Sequence, residues 1–113
     1  MNDCVFCRIA AHQAPAQMLF EDEEVLAFHD IAPRAPVHVL VIPRKHIVSL
    51  ADARPEDALL LGKLLLAVQR VARETGVASA FRVVANCGAG AGQSVFHLHF
   101  HVLAGRRLAW PPG

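Results

Sequence analysis

The sequence has 113 residues, which is enough for one domain, and we expect residues 1–113 to form a single domain. Apolar residues make up 54% of it and charged residues 19%, a composition that supports a buried core and excludes an intrinsically disordered chain. The formal net charge of +1 is too small for a protein that binds nucleic acid mainly through charge.

The sequence also lacks the marks of a membrane or secreted protein. No apolar run approaches the roughly 20 residues that span a bilayer, and the N-terminus lacks the basic and apolar pattern of a secretory signal. Three cysteines, an odd number, do not make a disulfide framework. We therefore expect a cytoplasmic protein that binds neither nucleic acid nor membranes.

Short strands and two helices alternate along the chain. The predicted elements are a short helix over 4–12, strands over 18–20 and 25–29, a proline-bounded loop over 31–36, a strand over 37–42, a long helix over 55–75, a strand over 81–86, a glycine-rich loop over 87–93 and a last strand over 95–104. Mostly strands, short turns and one long helix predict an α+β fold with an antiparallel sheet.

The long helix over 55–75 is more apolar than a helix that covers one sheet face needs to be. Glu56, Lys63 and Arg70 recur every seven residues and form one narrow polar stripe. Most of the remaining surface is Leu, Val and Ala. The helix is either deeply buried or contributes part of this surface to a homodimer contact, and we favour the homodimer.

Residues 97–102 read His-Leu-His-Phe-His-Val, three periods of imidazole alternating with an apolar side chain. Because a strand has a period of two, His97, His99 and His101 should share one face and the apolar residues should face a core. Three interpretations compete: a solvated polar face, a zinc site, and nucleophilic chemistry at phosphorus.

The glycine-rich loop before the histidines favours the chemistry at phosphorus. Its small residues let backbone N–H groups approach an anion, and Gln93, Ser94 and Asn86 add neutral donors. The chain has no carboxylate side chain after Glu74 that would repel a phosphate. A neutral imidazole is available at pH 7, and His99, which has a histidine on each side, is the expected nucleophile.

The motif of residues 97–103 resembles the signature of the histidine triad (HIT) family, His-x-His-x-His followed by two apolar residues. Residues 27–31, 36–43 and 92–94 and the C-terminal Trp-Pro-Pro-Gly resemble the Hint branch, the histidine triad nucleotide-binding proteins. The resemblance implies a five-stranded sheet that joins a second sheet across a homodimer. It also implies a purine nucleotide site that binds AMP and its amino-conjugates, and hydrolysis of nucleoside 5′-phosphoramidates.

The resemblance also implies a role for each site residue. His99 would attack the α-phosphorus and form a nucleotidyl-histidine, His101 would contact the phosphate and assist the leaving group, and His97 would orient His99 largely through its backbone. His38 would extend the imidazole network, although a histidine among apolar residues is also typical of a core. The phosphate would be held by Asn86, Gly92, Gln93 and Ser94.

The same resemblance assigns the nucleoside. Asp30 would accept hydrogen bonds from the ribose, with a turn-capping role as the alternative. The purine would lie against Ile31 in an apolar slot completed by Val5, Phe6, Ile9 and Phe28; the two phenylalanines are also expected core residues. Trp110 would lie near the site of the partner subunit. His12 and His29 are expected at the surface or in packing.

The pair Cys4 and Cys7 has the spacing at which two thiolates bind one zinc ion. The resemblance implies that His46 and His97 complete a structural zinc site, and that catalysis itself needs no cofactor. Two reduced, buried thiols are the alternative.

Three other functions compete with a phosphoramidate hydrolase. The first is a dinucleoside polyphosphate hydrolase, against which the C-terminal Trp-Pro-Pro-Gly argues. The second is a nucleotide-binding regulatory module without relevant catalysis. The third is a zinc-dependent hydrolase with the triad as ligands, which the missing carboxylates around the triad disfavour.

Overall fold

A five-stranded antiparallel sheet lies between two helices in the computed structural model, which describes residues 3–113. The strands are ordered β1-β2-β3-β5-β4. The elements are α1 (Val5–Ala10), β1 (Met18–Glu21), β2 (Val25–His29), β3 (Val37–Pro43), α2 (Ala58–Glu74), β4 (Arg82–Val84) and β5 (Phe100–Ala104). The expected α+β fold with an antiparallel sheet is confirmed. Neither α1 nor α2 has the length and apolar character needed to cross a bilayer.

The period of two in β3 divides the core into two layers. Val39 and Val41 face α2, and Leu40 and Ile42 face α1. The side chains of β3 are therefore buried on both sides of the sheet, as the nearly continuous apolar sequence of this strand predicts. His38 shares the α1 side with Leu40 because the two residues are separated by one position. The imidazole therefore enters the layer between the sheet and α1.

The histidine segment departs from the predicted strand at its start. β5 begins at Phe100, and residues 95–99 do not join the sheet ladder. The amide of Leu98 instead donates to the carbonyl of Ile47 at 2.6 Å. The alternation nevertheless persists, since Leu98, Phe100 and Val102 all pack in the layer under α2. The histidines between them are left to the opposite side.

Two further predicted elements are shorter than expected. β4 covers Arg82–Val84 instead of 81–86, and the long helix begins as a 3₁₀ turn over Pro55–Asp57 before α2 starts. The Asp57 carboxylate accepts a hydrogen bond from the amide of Arg54 at 2.9 Å, which caps this turn. Proline at the first position costs no hydrogen bond there.

The outer face of α2 and the edge of β4 remain uncovered within one chain. Leu59, Leu65 and Leu66 are 73%, 56% and 65% exposed. β4 is an edge strand, and its central residue Val83 is also exposed. A Cβ at Gly62, on the same helix face, would meet no atom within 4 Å. The helix is thus not deeply buried, and its excess apolar surface faces outward.

A close backbone approach fixes the loop over 31–36 against the end of β5. Gly105 has a φ of +94°, and a Cβ there would lie 2.8 Å from Cβ of Pro36. A residue with a side chain would therefore be strained and would clash with the loop. Arg106, which follows, donates from Nε to the carbonyl of Arg34 at 2.9 Å. These contacts hold the loop beside the histidines.

Candidate active site

The sheet and α1 enclose a cavity of about 300 Å³. It has one apolar and one polar group of lining residues. The apolar lining consists of Val5, Phe6, Ile9, Pro15, Ala16, Phe28, Ile31, Leu40 and Val95. The polar lining consists of His29, Asp30, Ser94, His99 and His101. The structure thus brings two of the three triad imidazoles together with the apolar residues expected to form the purine slot.

The protonation of His99 follows from one hydrogen bond. Its Nδ1 lies 2.7 Å from the carbonyl oxygen of His97, and a carbonyl accepts, so Nδ1 carries the proton. The lone pair is then on Nε2, on the other side of the ring. The edge of the Phe6 ring packs against the His99 ring at a centroid distance of 5.1 Å. His99 is therefore a buried, oriented imidazole with a free nucleophilic nitrogen.

His101, which lines the cavity, is paired with a further imidazole behind it, that of His38. The amide of Arg34 donates to Nδ1 of His38 at 3.0 Å, and Nε2 of His38 lies 2.9 Å from Nδ1 of His101. Burial lowers the pKa of His38 below its usual value, although the charge of Asp30 opposes this shift. Burial and the neighbouring imidazoles of His99 and His38 lower the pKa of His101 to about 4. Both rings are neutral at pH 7.

Asp30 carries out the turn-capping role and also reaches the cavity. Its Oδ1 accepts a hydrogen bond from the amide of Ala32 at 2.8 Å. Its Oδ2 lies 3.3 Å from Nε2 of His38 and belongs to a residue that lines the cavity. The two interpretations of Asp30 from the sequence are therefore compatible, since each oxygen serves a different partner.

The side chain of Gln93 has a different position from the one expected of a phosphate ligand. It is buried, its Oε1 accepts from the amide of Gly88 at 2.8 Å, and its Nε2 donates to the carbonyl of Val48 at 2.7 Å and of Val95 at 3.1 Å. Because these contacts use its amide inside the protein, Gln93 stabilises the glycine-rich loop. This corrects the expected donor role of its side chain.

The remaining residues of the expected phosphate cradle lie around this loop. A Cβ at Gly92, where φ is +102°, would contact the Asn86 amide group at 3.8 Å, so the two residues are neighbours. Neither is part of the cavity lining, whereas Ser94 is. Trp110 lies beside β4 together with Asn86, in a separate depression.

His97 does not point at the same centre as the other two triad histidines. Its ring is fully buried, and Nε2 donates to the carbonyl of Pro43 at 2.8 Å. Nδ1, which then carries a lone pair, lies 3.3 Å from Sγ of Cys4, 3.4 Å from Sγ of Cys7 and 3.1 Å from Nδ1 of His46. The triad histidines are therefore divided between two centres, which argues against a single metal bound by all three.

The cluster of Cys4, Cys7, His46 and His97 fits a tetrahedral zinc ion. Its four ligand atoms lie within 4.8 Å of one another. Ligands at about 2.0 Å (N) and 2.3 Å (S) from zinc are roughly 3.3–3.8 Å apart, close to the distances seen here. The bond to Pro43 leaves Nδ1 of His97 free to coordinate, and burial lowers the pKa of His97, which favours the neutral ligand.

Phe6 connects this cluster to the cavity. It stands between Cys4 and Cys7 in the sequence and packs against both His97 and His99. α1 therefore forms part of the cluster with its first turn and a wall of the cavity with its apolar face.

The sequence did not identify five residues of the cavity lining, namely Pro15, Ala16, His29, Leu40 and Val95. Leu40 could have been found, since it shares the β3 face with His38. His29 was expected in packing or at the surface, but it lines the cavity at the end of β2. Its position beside Asp30 was a signal for this. The loop residues 15 and 16 carry no pattern that predicts their position.

We expect the His101 ring to titrate near pH 4 instead of near its ordinary 6.5, because burial and two neighbouring imidazoles disfavour its cation. This folded pKa lies below the unfolded value of 6.5. The free energy of unfolding is therefore at its full value above about pH 6.5 and decreases as the pH falls from there to about 4, because only the unfolded state takes up the proton. NMR titration of the His101 Cε1–H resonance measures the midpoint. A midpoint near 6.5 would contradict the assigned environment.

Comparison with known proteins places this architecture in one family. The HIT domain family model matches residues 11–108. An uncharacterised HIT-like protein of Synechocystis is 50% identical over 112 residues, which is 99% of this chain and 98% of that protein. A HIT family hydrolase from Legionella pneumophila superimposes with a TM-score of 0.96 at 44% identity, covering 98% of this chain and 100% of that one.

A zinc-bound histidine triad family protein from Mycobacterium smegmatis is 38% identical and superimposes with a TM-score of 0.78, covering 98% of this chain and 80% of that one. The sequence motif, the five-stranded sheet and the family match agree with one another. The chain belongs to the HIT family.

Proposed function

We propose that this protein hydrolyses purine nucleoside 5′-phosphoramidates, such as AMP joined through nitrogen to an amine, through a covalent intermediate on His99. The observation that carries the proposal is the hydrogen bond from Nδ1 of His99 to the carbonyl of His97, at 2.7 Å. It fixes the tautomer with its lone pair on Nε2, in a ring that lines a nucleotide-sized cavity.

The reaction has two steps. In the first, Nε2 of His99 attacks the α-phosphorus, the bond between phosphorus and the amine nitrogen breaks, and the amine leaves with a proton taken from solvent. His99 becomes a cation whose Nδ1–H remains bonded to the His97 carbonyl, which stabilises the new charge. In the second, water attacks the phosphorus, His99 is released, and the nucleoside monophosphate and one proton are formed.

The residues that line the cavity are suited to each part of a nucleotide. The apolar side chains of α1 and β2 suit the faces of a purine, and Oδ2 of Asp30 is a suitable acceptor for ribose hydroxyls. Ser94 and His101 are suited to donate to the phosphate oxygens. Gly92 and Asn86 would support this end through the loop, which Gln93 stabilises from inside.

Replacing His99 tests the mechanism. We expect His99→Ala to lower turnover of an adenosine phosphoramidate at least about 10⁴-fold, because the nucleophile is lost, and to change the AMP dissociation constant less than about tenfold. His12→Ala, which removes an exposed imidazole paired with Glu21, is the control. Steady-state kinetics and calorimetry measure the two effects.

Mass spectrometry of the wild-type protein, quenched in base during turnover, tests the intermediate directly. We expect a mass gain of one nucleotidyl group on His99. Retained turnover in His99→Ala, or a nucleotidyl group on another residue, would refute the proposal.

We further propose that Cys4, Cys7, His46 and His97 bind a structural zinc ion. The convergence of their ligand atoms and the preset tautomer of His97 support this. Bound zinc would supply a crosslink between α1, the segment after β3 and the histidine segment, without entering the reaction. Phe6 lies between the two cysteines in the sequence and packs against His99. The crosslink would therefore hold one wall of the nucleotide cavity.

Cysteine substitution tests this site. We expect Cys4→Ser/Cys7→Ser to lose zinc and to bind AMP at least about tenfold more weakly, since α1 is no longer fixed beside the cavity. Cys87→Ser, which removes the exposed third cysteine, should keep both zinc and AMP affinity. Plasma emission spectrometry and calorimetry measure zinc and AMP. Equal zinc content in both proteins would contradict the assignment.

We propose that two copies associate through the uncovered β4 edge and the outer face of α2. An edge strand can pair with its symmetry mate, and three exposed leucines on α2 supply apolar surface. Trp110 is exposed and lies beside β4, which suits a contact with the site of the partner subunit.

A charged residue on this face tests the association. We expect Leu65→Glu to convert a dimer into monomers, because it buries a carboxylate in the apolar contact. Gln13→Glu adds the same charge at an exposed position after α1 and should leave the dimer intact. Sedimentation velocity measures both, and a monomeric wild-type protein would contradict the proposal.

A further inference from the structure

The imidazole pair behind the cavity ends on a backbone amide. Arg34 donates its N–H to Nδ1 of His38 at 3.0 Å, so this nitrogen must offer a lone pair. The proton of neutral His38 is therefore on Nε2, which lies 2.9 Å from Nδ1 of His101. Nδ1 of His101 must then accept, and its proton is on Nε2. One amide in the loop over 31–36 thus determines the tautomers of two histidines in sequence.

We propose that His38 is a positioning residue that holds His101 as a neutral donor, with Nε2–H available to the substrate, and that His38 does not carry protons during turnover. The inference rests on the proposed function, in which His101 donates to the phosphate oxygens beside the leaving group. In this role, His101 keeps one hydrogen bond to these oxygens throughout the reaction and does not transfer its proton to the leaving group.

To pass a proton through its ring, His38 would have to take up a proton at Nδ1, and the amide of Arg34 occupies that nitrogen. A relay would move the Nε2 proton of His38 to His101 while Nδ1 received another proton. The group at Nδ1 is a peptide N–H, which cannot give up its proton, and a second N–H on Nδ1 would clash with it. Without that replacement, His38 would become an anion, which a buried ring next to a carboxylate disfavours.

The charged groups around His38 lead to the same result. Asp30 brings Oδ2 to 3.3 Å from Nε2, so it competes with His101 for the same proton and offers no access to Nδ1. Arg34 contributes a positive charge that disfavours a His38 cation. A metal bound by Asp30, His38 and His101 would need the lone pair of Nε2 on His38, and this would again force a proton onto Nδ1.

In the reaction, His101 therefore stabilises charge, whereas solvent supplies the proton. His101 stabilises negative charge on the phosphoryl oxygens or the leaving group through a fixed N–H, as donors in an oxyanion hole do. The proton that the departing amine needs comes from solvent, and the water of the second step returns it.

Direct observation of the tautomers is the first test. In ¹⁵N-labelled wild-type protein, with its metal as isolated and without nucleotide, we expect both His38 and His101 to show a protonated Nε2 and an unprotonated Nδ1 between pH 6 and 8 in long-range ¹H–¹⁵N spectra. A protonated Nδ1 on either ring, or averaged nitrogen shifts that report exchange between tautomers, would overturn the proposal.

Two substitutions at His38 separate a donor from a relay. Glutamine places an amide N–H near the position of Nε2 but cannot pass a proton, and phenylalanine keeps the ring shape without a donor. We expect His38→Phe to lower kcat about 10²-fold with a mixed His101 tautomer, and His38→Gln to lose less than about tenfold with the wild-type tautomer of His101. Glutamine activity as low as that of phenylalanine would overturn the proposal.

His12→Gln, the same substitution at the exposed imidazole that pairs with Glu21, is the matched control. The NMR result does not depend on turnover, so the two proposals can fail separately. The expected tautomers together with no nucleotidyl-His99 would refute the proposed function alone. The intermediate on His99 together with exchanging tautomers would refute the positioning role of His38 alone.

Discussion

The organisation of the site depends on the polar groups of one buried residue, His97. Its carbonyl accepts from Nδ1 of His99, its Nε2 donates to the carbonyl of Pro43 at the end of β3, and its Nδ1 faces the cysteines of α1. Two of these contacts join other elements, β3 and α1, to the histidine segment, and the third orients His99 within that segment. Because an unpaired polar group in a dry interior is costly, all three contacts are needed, and they determine the position of His99, the proposed nucleophile.

The sequence predicts the parts of this arrangement that repeat with the period of an element. The alternation of residues 97–102 indicates which side chains face α2, and the apolar run of β3 indicates burial on both sides. The spacing of Cys4 and Cys7, together with the family resemblance, identifies a cluster that the structure brings together. The unusual apolar width of the long helix indicates a surface that one chain does not cover.

Other features depend on contacts between residues far apart in the chain, which periodicity cannot predict. Leu98 leaves the ladder because Ile47 offers its carbonyl, and Gln93 turns inward because the carbonyl of Val48 lies within reach. The tautomers of His38 and His101 depend on the amide of Arg34. The residue types determine which chemical groups are present, whereas these backbone groups determine which imidazole nitrogen carries the proton.

The lining of the cavity has a consequence for substrate choice. Its polar side chains are those of three histidines, Asp30 and Ser94, and the surfaces of α1, β2 and β3 that enclose the rest are hydrocarbon. Such walls select by thickness and aromatic area instead of by the pattern of exocyclic groups on a heterocycle. For the proposed phosphoramidate substrates, adenine and guanine derivatives should therefore be hydrolysed at similar rates, and the nucleobase should matter less than the P–N bond that is broken.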